Sequence, residues 1–572
     1  MQKNKTDHIG PIGHRLPWSV LIWLTMFLMP SACQTQQVTS DHVIASNIAA
    51  PVNLRAGHFL AARQAAYFND VTASADFYLA TLQPDERNPE LLQQGFLTQY
   101  RDGNIDMAAA LARQLESINI KVPFTVEPAI SQAITAADWD AVIVLSDQLA
   151  EDITATPLAG VIKSWALVAS GQGDAGLANL AESGKILAQD QNGLPIFIQV
   201  QLALMAEYLG YQDEAGDIAA RLARSPTLPA KAALQTAGIL ARAKQSQTAN
   251  ALLNKLPYSF DHNQIGPDQL APPDGVAEFI ANAIIDAALA YRDPQFINMV
   301  PARLQLALYL DPTHDAARFF LAQSWFELGQ FDRARSTLAK INDPSIWALP
   351  RLLLLNDIDI RAGNLDIAIE RFDAYVIGRP DNGYLLKELG DLYRRDEQYA
   401  KARDSYLRAI ATGFDSANLY RNLAISHERL DEDEQAEIYF KGALARDPDD
   451  PFTLNYLGYW WAESGRHLTQ AIELIEQAVR LRPDSGFFVD SLGWVHYQLG
   501  NYQLAVEFLE KATMLEPEDA VIIAHLGDAY WQTNRHNEAQ YKWRYAAQIN
   551  KDSALQADLE KKLASGLPMA GR

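Results

Sequence analysis

The chain is poor in cysteine and in basic residues. Its 572 residues include a single cysteine, Cys33, so no disulfide can form within the chain and the paired cysteines of a structural zinc site are missing. Lys and Arg number 48 against 70 Asp and Glu, which gives a formal net charge of −22. Nucleic-acid binding needs clustered basic side chains that contact phosphates, and anionic lipid surfaces attract the same kind of cluster. We therefore expect no nucleic-acid partner and no broad lipid-binding surface.

Sequence motifs of catalysis are missing as well. The chain has no HExxH metal site, no GxxxxGK phosphate loop, no GxSxG nucleophile turn and no GxGxxG followed by a strand pattern. The nearest approach to the first of these, His427–Asp431, lacks the second histidine. Residues 55–553 are almost fully taken up by the repeats described below, which leaves no room for a separate catalytic domain. We therefore expect a protein that is not an enzyme and that holds no metal and no cofactor.

One apolar run near the start is too short to span a bilayer. Trp18–Met29 is twelve residues without a charge, whereas a membrane-spanning helix needs ~20. Three basic residues precede the run, and the small residues Ser31 and Ala32 follow it. A basic start, a short apolar centre and small residues at the end are typical of an export signal. The pattern predicts a signal peptide over residues 1–32.

The cysteine directly after this run resembles the signal of bacterial lipoproteins. In that family the cysteine is acylated and becomes the mature N-terminus, so the resemblance implies a lipid anchor at Cys33. Gln34 is similar to the outer-membrane class, which implies a periplasm-facing outer-membrane lipoprotein in the envelope of a bacterium. Pro30 stands where the family usually carries leucine, so a soluble periplasmic protein and an uncleaved anchor remain alternatives. The Gln-, Ser- and Thr-rich residues 33–54 are predicted to form a flexible tether.

The dominant feature of the remaining chain is a period in small residues. Seven alanines are separated by 34, 34, 34, 35, 34 and 34 residues, and a glycine or alanine stands twelve or thirteen residues before six of them. Helices that cross closely need small residues at the crossing, so we expect these residues to pack the two helices of each unit together, with Gly493 facing Ala505. The predicted packing residues are Ala322, Ala334, Gly390, Ala402, Ala424, Ala436, Gly458, Ala471, Gly493, Ala505, Gly527 and Ala539, and Ala368 completes the alanine series.

This 34-residue pattern resembles the tetratricopeptide repeat family. Residues 486–519 carry Gly493, Gly500, Tyr502 and Ala505 at the family's kinds of position, with His496 replacing the aromatic residue of the first helix. The resemblance implies an all-α solenoid, a right-handed superhelix of antiparallel helix pairs, in which stacked units complete one apolar core.

The strength of the pattern varies along the chain and predicts its organisation. Matches are weak before a Gly- and Pro-containing stretch that reads as a loop, and they are regular after it. The predicted parts are divergent repeats over 55–257, a loop or hinge over 258–280, a regular array over 281–553, and a capping helix and tail over 554–572.

The resemblance also implies a binding groove. In the family, certain positions of each first helix line the concave face, and Tyr, Trp and Arg dominate binding energy at interfaces. The family's clamp for a C-terminal carboxylate is not preserved, because Asp391 would repel that group. Some of the residues in these positions will instead pack against the neighbouring unit. The predicted groove residues are Tyr384, Lys387, Arg394, Arg395, Asn418, Arg421, Arg429, Asn455, Tyr459, Phe487, Asp490, Trp494, Tyr497 and Trp531.

Together these patterns predict a non-enzymatic protein–protein interaction scaffold that is exported to the cell envelope. Its partner would be a protein or a peptide bound in the concave groove, and analogy with other tetratricopeptide lipoproteins suggests a role in envelope assembly or secretion. The alternative is an accessory protein for polysaccharide export or carbohydrate binding, because Trp494 and Trp531 could stack on sugar rings.

Overall fold

The structure is a computed structural model and describes residues 54–82, 87–151, 156–188, 194–257, 260, 265, 270–290 and 299–568. These ranges contain 29 α-helices and no strand, which confirms the all-α prediction. The predicted signal peptide, Cys33, nearly all of the predicted tether and much of the predicted 258–280 loop lie outside the described residues.

The helices fall into two compact units, which we describe separately. Within the described residues one unit runs from Leu54 to Ala362 and the other from Gly363 to Pro568. The N-terminal unit consists of α1 (Leu54–Tyr67), α2 (Val71–Thr81), α3 (Pro89–Asp102), α4 (Ile105–Ser117), α5 (Val126–Thr135), α6 (Trp139–Leu149), α7 (Thr156–Ala169), α8 (Gly173–Ala188), α9 (Ile196–Tyr208), α10 (Gln212–Leu222), α11 (Ala230–Arg242), α12 (Ser246–Leu253), α13 (Val276–Ala290), α14 (Val300–Leu310), α15 (Asp315–Glu327), α16 (Phe331–Leu338) and α17 (Ala348–Arg361).

The C-terminal unit contains the most regular repeats. It consists of α18 (Leu365–Ile377), α19 (Gly383–Arg395), α20 (Tyr399–Ala411), α21 (Ala417–Arg429), α22 (Asp433–Arg446), α23 (Pro451–Glu463), α24 (Leu468–Leu481), α25 (Gly486–Gln498), α26 (Tyr502–Leu515), α27 (Ala520–Gln532), α28 (His536–Ile549) and α29 (Ser553–Ser565). The pairs α19–α20, α21–α22, α23–α24, α25–α26 and α27–α28 each form one repeat.

The turns within these pairs repeat as regularly as the alanines. One residue in each of these five turns has a left-handed backbone conformation, and these residues are Glu397, Asp431, Gly465, Gly500 and Asn534. The single 35-residue interval carries a second left-handed residue, His467, directly before α24. The extra residue is therefore absorbed in the turn, and the helices on either side keep their pairing.

Side-chain caps begin most of the first helices of these repeats. Asn382, Ser416, Asp450 and Asp519 each accept hydrogen bonds from backbone N–H groups in the first turn of the helix that follows. These N–H groups have no partner within the helix, so the caps fix where it begins. Pro517 and its equivalents follow the C-caps and end the second helices.

Small residues set the helix crossings in the C-terminal unit. A Cβ added at Gly390 would lie 2.5 Å from the Tyr406 ring, and one at Gly458 would lie 2.8 Å from the Ala471 carbonyl oxygen. At Gly493 the nearest atom is Cγ of Leu509, at 2.7 Å, one turn after Ala505 on the facing helix, and Ala505 itself is fully buried. All twelve predicted packing residues are buried.

The N-terminal unit packs differently, because two of its helices cover earlier repeats. Helix α13 contacts α7 and α9, and α14 contacts α3 and α5, all of which are first helices of their pairs. Arg303 on α14 forms a buried ion pair with Glu127 on α5 at 2.8 Å, and Lys231 pairs with Asp286 on α13 at 2.7 Å. The inner side of these repeats is therefore occupied by the chain itself.

This packing changes the organisation expected from the sequence. Helix α13 begins at Val276, inside the range predicted as a loop or hinge. The compact units divide after Ala362 and not at residues 258–280. Local periodicity reports how neighbouring helices pair, whereas this division depends on contacts between residues more than a hundred positions apart.

Candidate partner-binding groove

The first helices of the C-terminal repeats stand side by side and form one surface. Helix α19 contacts α21, α23 contacts α25, and α25 contacts α27. Most of the predicted groove residues are partly exposed on these helices, and the Phe487 ring is 40% exposed. Asn455 and Asp490 are instead buried. We refer to the surface of α19, α21, α23, α25 and α27 as the groove.

At the α19 end, charged side chains neutralise one another. Lys387 Nζ lies 2.7 Å from Asp391 and 3.0 Å from Glu388. Asp391 also accepts hydrogen bonds from Asn422 at 2.7 Å and from Tyr406 at 2.6 Å. Burial disfavours the charge on Asp391, but Lys387, Arg394 and the Tyr406 hydroxyl together outweigh it, and the pKa of Asp391 is lowered. Lys387 and Asn422 are therefore engaged within the chain.

The arginines of the groove differ in whether a carboxylate pairs with them. Arg421 lies 2.7 Å from Asp450, the cap of α23, and Arg429 lies 3.4 Å from Glu428. Arg394 is partly exposed and lies beside Tyr406 and the Asp391 carboxylate. Arg395 is partly exposed and makes no ion pair with any described residue. Of these four arginines, Arg395 is thus the one whose charge is available to a partner.

The α25 end of the groove is aromatic. Trp494 Nε1 donates a hydrogen bond to Glu463 at 2.6 Å, and its ring stacks on Tyr497 and His525 at centroid distances of 4.8 and 4.1 Å. His525 Nδ1 lies 2.9 Å from Asp490. Burial opposes the charged imidazolium, but the Asp490 carboxylate outweighs it and raises the pKa of His525. Asp490 was predicted to contact a partner, and its contact with His525 explains why it is buried.

Helix α27 is the first helix of the last repeat, and residues that follow it in the sequence cover it. Lys562 on α29 lies 2.8 Å from Asp528. Trp531 Nε1 donates a hydrogen bond to the Leu567 carbonyl oxygen at 2.7 Å, and Gln532 Nε2 donates one to the Pro568 carbonyl oxygen at 2.9 Å. Helix α29 therefore lies beside α27 where a further first helix would stand, and Trp531 is already in contact with the chain.

Two of the polar residues that shape the groove were missed by sequence reasoning. Glu463 binds Trp494, and His525 binds Asp490, yet neither was among the predicted groove residues. Glu463 stands at the same repeat position as Arg395 and Arg429, so the repeat register could have identified it. His525 lies outside the family's inward-facing positions, and the sequence carries no signal for it.

The groove carries no arrangement suited to metal chemistry. Across the described ranges no three His, Cys, Asp or Glu side chains come together as a metal site. In the same part of the chain, no helix combines the length and the apolar character needed to cross a membrane. The groove offers partly exposed rings, the Arg395 guanidinium and hydrogen-bonding side chains, all of which can contact a macromolecular partner.

Comparisons with known proteins agree with this architecture. Models of the tetratricopeptide repeat match residues 357–418, 388–451 and 496–540. A TPR repeat-containing protein of Pseudomonas aeruginosa is 30% identical over 189 residues, which are 32% of this chain and 32% of that protein. The match thus spans about a third of the length of this curated relative.

Solved structures with similar helical arrangements are more distant. The APC/C hetero-tetramer Cut9–Hcn1 has 17% identity and a TM-score of 0.38, with 86% of this chain and 98% of that chain covered. A tetratricopeptide repeat protein from Parabacteroides merdae has 15% identity and a TM-score of 0.38, with 43% and 98% covered. Neither likeness bears on function. The matching repeat models, the curated relative and the 34-residue helix pairs show that the chain carries tetratricopeptide repeats, a helix-pair unit typical of protein–protein interaction scaffolds.

Proposed function

We propose that this chain is a non-enzymatic scaffold that binds a segment of a protein partner in the groove of its C-terminal unit. The observation that carries the proposal is the row of partly exposed aromatic and arginine side chains on successive first helices, above all the 40% exposed Phe487 ring. Rings of this kind contribute large contact areas at little entropic cost, and they dominate interface energetics when a partner covers them. Arg395 adds a charge that an acidic residue of the partner would pair with.

The proposed location is the envelope of a bacterium, with the scaffold tethered by a lipid at Cys33. The support is the basic start, the short apolar run and the small residues that precede this cysteine. A lipid anchor followed by a polar tether would hold the repeats beside the membrane, where partners in envelope assembly or secretion are found. A soluble periplasmic form of the same scaffold is the alternative.

Carbohydrate binding has weaker support in the groove. Trp494 is partly exposed and would have to stack on a sugar, but it already stacks on Tyr497 and His525. Trp531 is packed beside His536 and Trp543 at 4.3 and 5.3 Å. Sugar stacking needs a free ring face, so the geometry favours a protein partner.

Site-specific photo-crosslinking in intact cells tests the proposal. A benzophenone amino acid placed at Phe487 should crosslink a protein partner. The matched control is Tyr541, an aromatic residue on the second helix α28 that is 65% exposed and lies outside the groove. A specific adduct at position 487 that is absent at 541 supports the groove as the binding surface. Equal adducts at both positions, or none at 487, contradict it.

A native gel cast with polysaccharide provides the test of the alternative. The purified chain should migrate in this gel as it does without polysaccharide. Retardation by the polysaccharide that Trp494→Ala abolishes would favour carbohydrate binding instead.

A further inference from the structure

The segment Gly566–Pro568, directly after α29, lies against the last step of the groove. Its contacts with α27 are two hydrogen bonds from groove side chains to main-chain carbonyl oxygens, from Trp531 to Leu567 and from Gln532 to Pro568. Trp531 and Gln532 stand at the twelfth and thirteenth positions of their repeat, which the family resemblance placed on the concave face. The segment is therefore held where a partner would be expected to bind.

The contacts are those of a bound extended peptide. Side-chain donors that pair with successive carbonyl groups recognise the backbone of a ligand and not its sequence. Leu567 adds sequence preference, because its side chain packs against the buried apolar cluster that includes Ile523, Tyr530 and Leu559. Pro568 has no N–H group to satisfy and favours an extended conformation for the residue before it.

Gly566 is required for this arrangement. Its φ is +68°, a left-handed conformation that favours glycine. A Cβ at this position would lie 2.1 Å from the Trp531 ring. The chain therefore passes over the indole at the one residue that has no side chain.

Further donors continue along the same column of the groove. Gln498 on α25 is exposed at the repeat position of Gln532, and Arg429 on α21 and Arg395 on α19 are partly exposed at the equivalent positions. An extended chain running along these positions would meet an N–H donor on α19, α21 and α25 before it reached Gln532. On α23 it would meet Glu463, whose carboxylate already accepts a hydrogen bond from Trp494.

We propose that Gly566–Pro568 is a resident ligand of the groove, and that an extended partner segment with an apolar residue followed by proline competes with it for the last step. This inference rests on the proposed function, but the contact between the segment and Trp531 can be measured without any partner. Because the segment is covalently attached, its effective concentration is on the order of millimolar. A competing peptide must therefore displace it before binding.

The experiment uses the full chain with 5-fluorotryptophan placed at position 531 as a single fluorine probe. Gly566→Ala should displace the segment and move the ¹⁹F resonance of Trp531 away from its wild-type position. The probe ligand is the synthetic peptide Ser-Gly-Leu-Pro-Met-Ala-Gly-Arg, residues 565–572. Added to Gly566→Ala, the peptide should return the resonance towards the wild-type shift, with an apparent dissociation constant at least about tenfold lower than for the wild-type chain.

Two controls separate this proposal from a loss of folding. Gly413→Ala places the same substitution at another left-handed glycine, with φ +86° and open space around it, and should leave the ¹⁹F resonance and peptide binding as in the wild type. Gln532→Ala in the Gly566→Ala background should weaken peptide binding at least about threefold, since one of the two carbonyl contacts is lost. If Gly566→Ala lowers the melting temperature of the chain, Leu567→Asp takes its place. This substitution should displace the segment without creating a clash at Trp531.

An unchanged Trp531 resonance in both displacing variants overturns the proposal, as does equal peptide binding by the wild type and the variants. These outcomes are independent of the crosslink at Phe487. A crosslink without the ¹⁹F response would leave the scaffold function standing and remove the resident ligand. The reverse result would leave a self-bound segment without a partner at Phe487.

Discussion

At the scale of single residues, small side chains decide how closely the helices of each repeat approach. Gly390, Gly458, Gly493 and Gly527 all stand where an added Cβ would meet the facing helix at 2.5–2.8 Å. The period of these residues in the sequence reflects this geometry, since every repeat has the same crossing.

Gly493→Leu should destabilise the chain by at least about 1–3 kcal/mol, because a larger side chain would overpack the crossing against Leu509. Urea denaturation followed by circular dichroism measures the loss as a lower midpoint. The matched control is Gly378→Leu, an exposed glycine of the same unit whose added Cβ would meet its nearest atom only at 3.9 Å. Equal midpoints for Gly493→Leu and the wild type would show that the crossing lies elsewhere.

At the scale of elements, α13 and α14 distinguish the N-terminal unit. They pack on α3, α5, α7 and α9. This packing buries charged side chains, which costs free energy unless an oppositely charged side chain is buried with them. The side chains of Glu127 and Arg303 are only 1% and 9% exposed, and Tyr100 also donates a hydrogen bond to Glu127. A buried charge of this kind is tolerated only while its partner is present.

Arg303→Met should lower the free energy of unfolding by about 3–5 kcal/mol, because Glu127 would be left buried and unpaired. The double variant Glu127→Met/Arg303→Met should be less damaging than this single variant, since neither charge remains. Thermal unfolding of the N-terminal unit, followed by hydrogen exchange in α5 and α14, reports both effects.

The surface pair of Lys163 and Asp147, at 2.6 Å with side chains 28% and 63% exposed, provides the control. Lys163→Met should cost less than about 1 kcal/mol, as surface ion pairs usually do. If Glu127→Met/Arg303→Met is as unstable as Arg303→Met alone, the shape of the packed side chains, and not their charge pairing, holds α14 in place.

At the scale of the whole molecule, similar repeats serve different purposes in the two units. In the N-terminal unit the first helices are covered by α13 and α14, which suits a structural role. In the C-terminal unit the first helices keep partly exposed side chains, and α27 is contacted by the segment after α29. This difference is why we propose partner binding for the C-terminal unit.

The proposed envelope location belongs to this scale as well, and the proposed anchor would be attached at a single residue, Cys33. Cys33→Ala should move the chain from the membrane fraction to the soluble fraction of disrupted cells, because no lipid can then be attached. Thr35→Ala, two residues further on, is the control and should remain with the membranes. Membrane association that persists in Cys33→Ala would mean that Cys33 carries no anchor.

The sequence alone determined the repeat and its consequences. The recurring alanines and glycines predicted paired helices without strands, the regular array and the packing residues, because each repeat is built from contacts between neighbouring helices that recur with the period. The first-helix register also identified which side chains share the groove surface, including Tyr459, Phe487 and Trp494.

Only the tertiary structure decided which of these side chains are available. Lys387 is neutralised by Asp391, Asp490 is buried against His525, and Trp531 is met by Leu567. Arg303 and Glu127 are 176 residues apart in sequence, and no local pattern predicts that they pair. Periodicity fixes the contacts that every repeat makes, whereas burial and charge pairing depend on individual side chains and on distant helices that meet only when the chain folds.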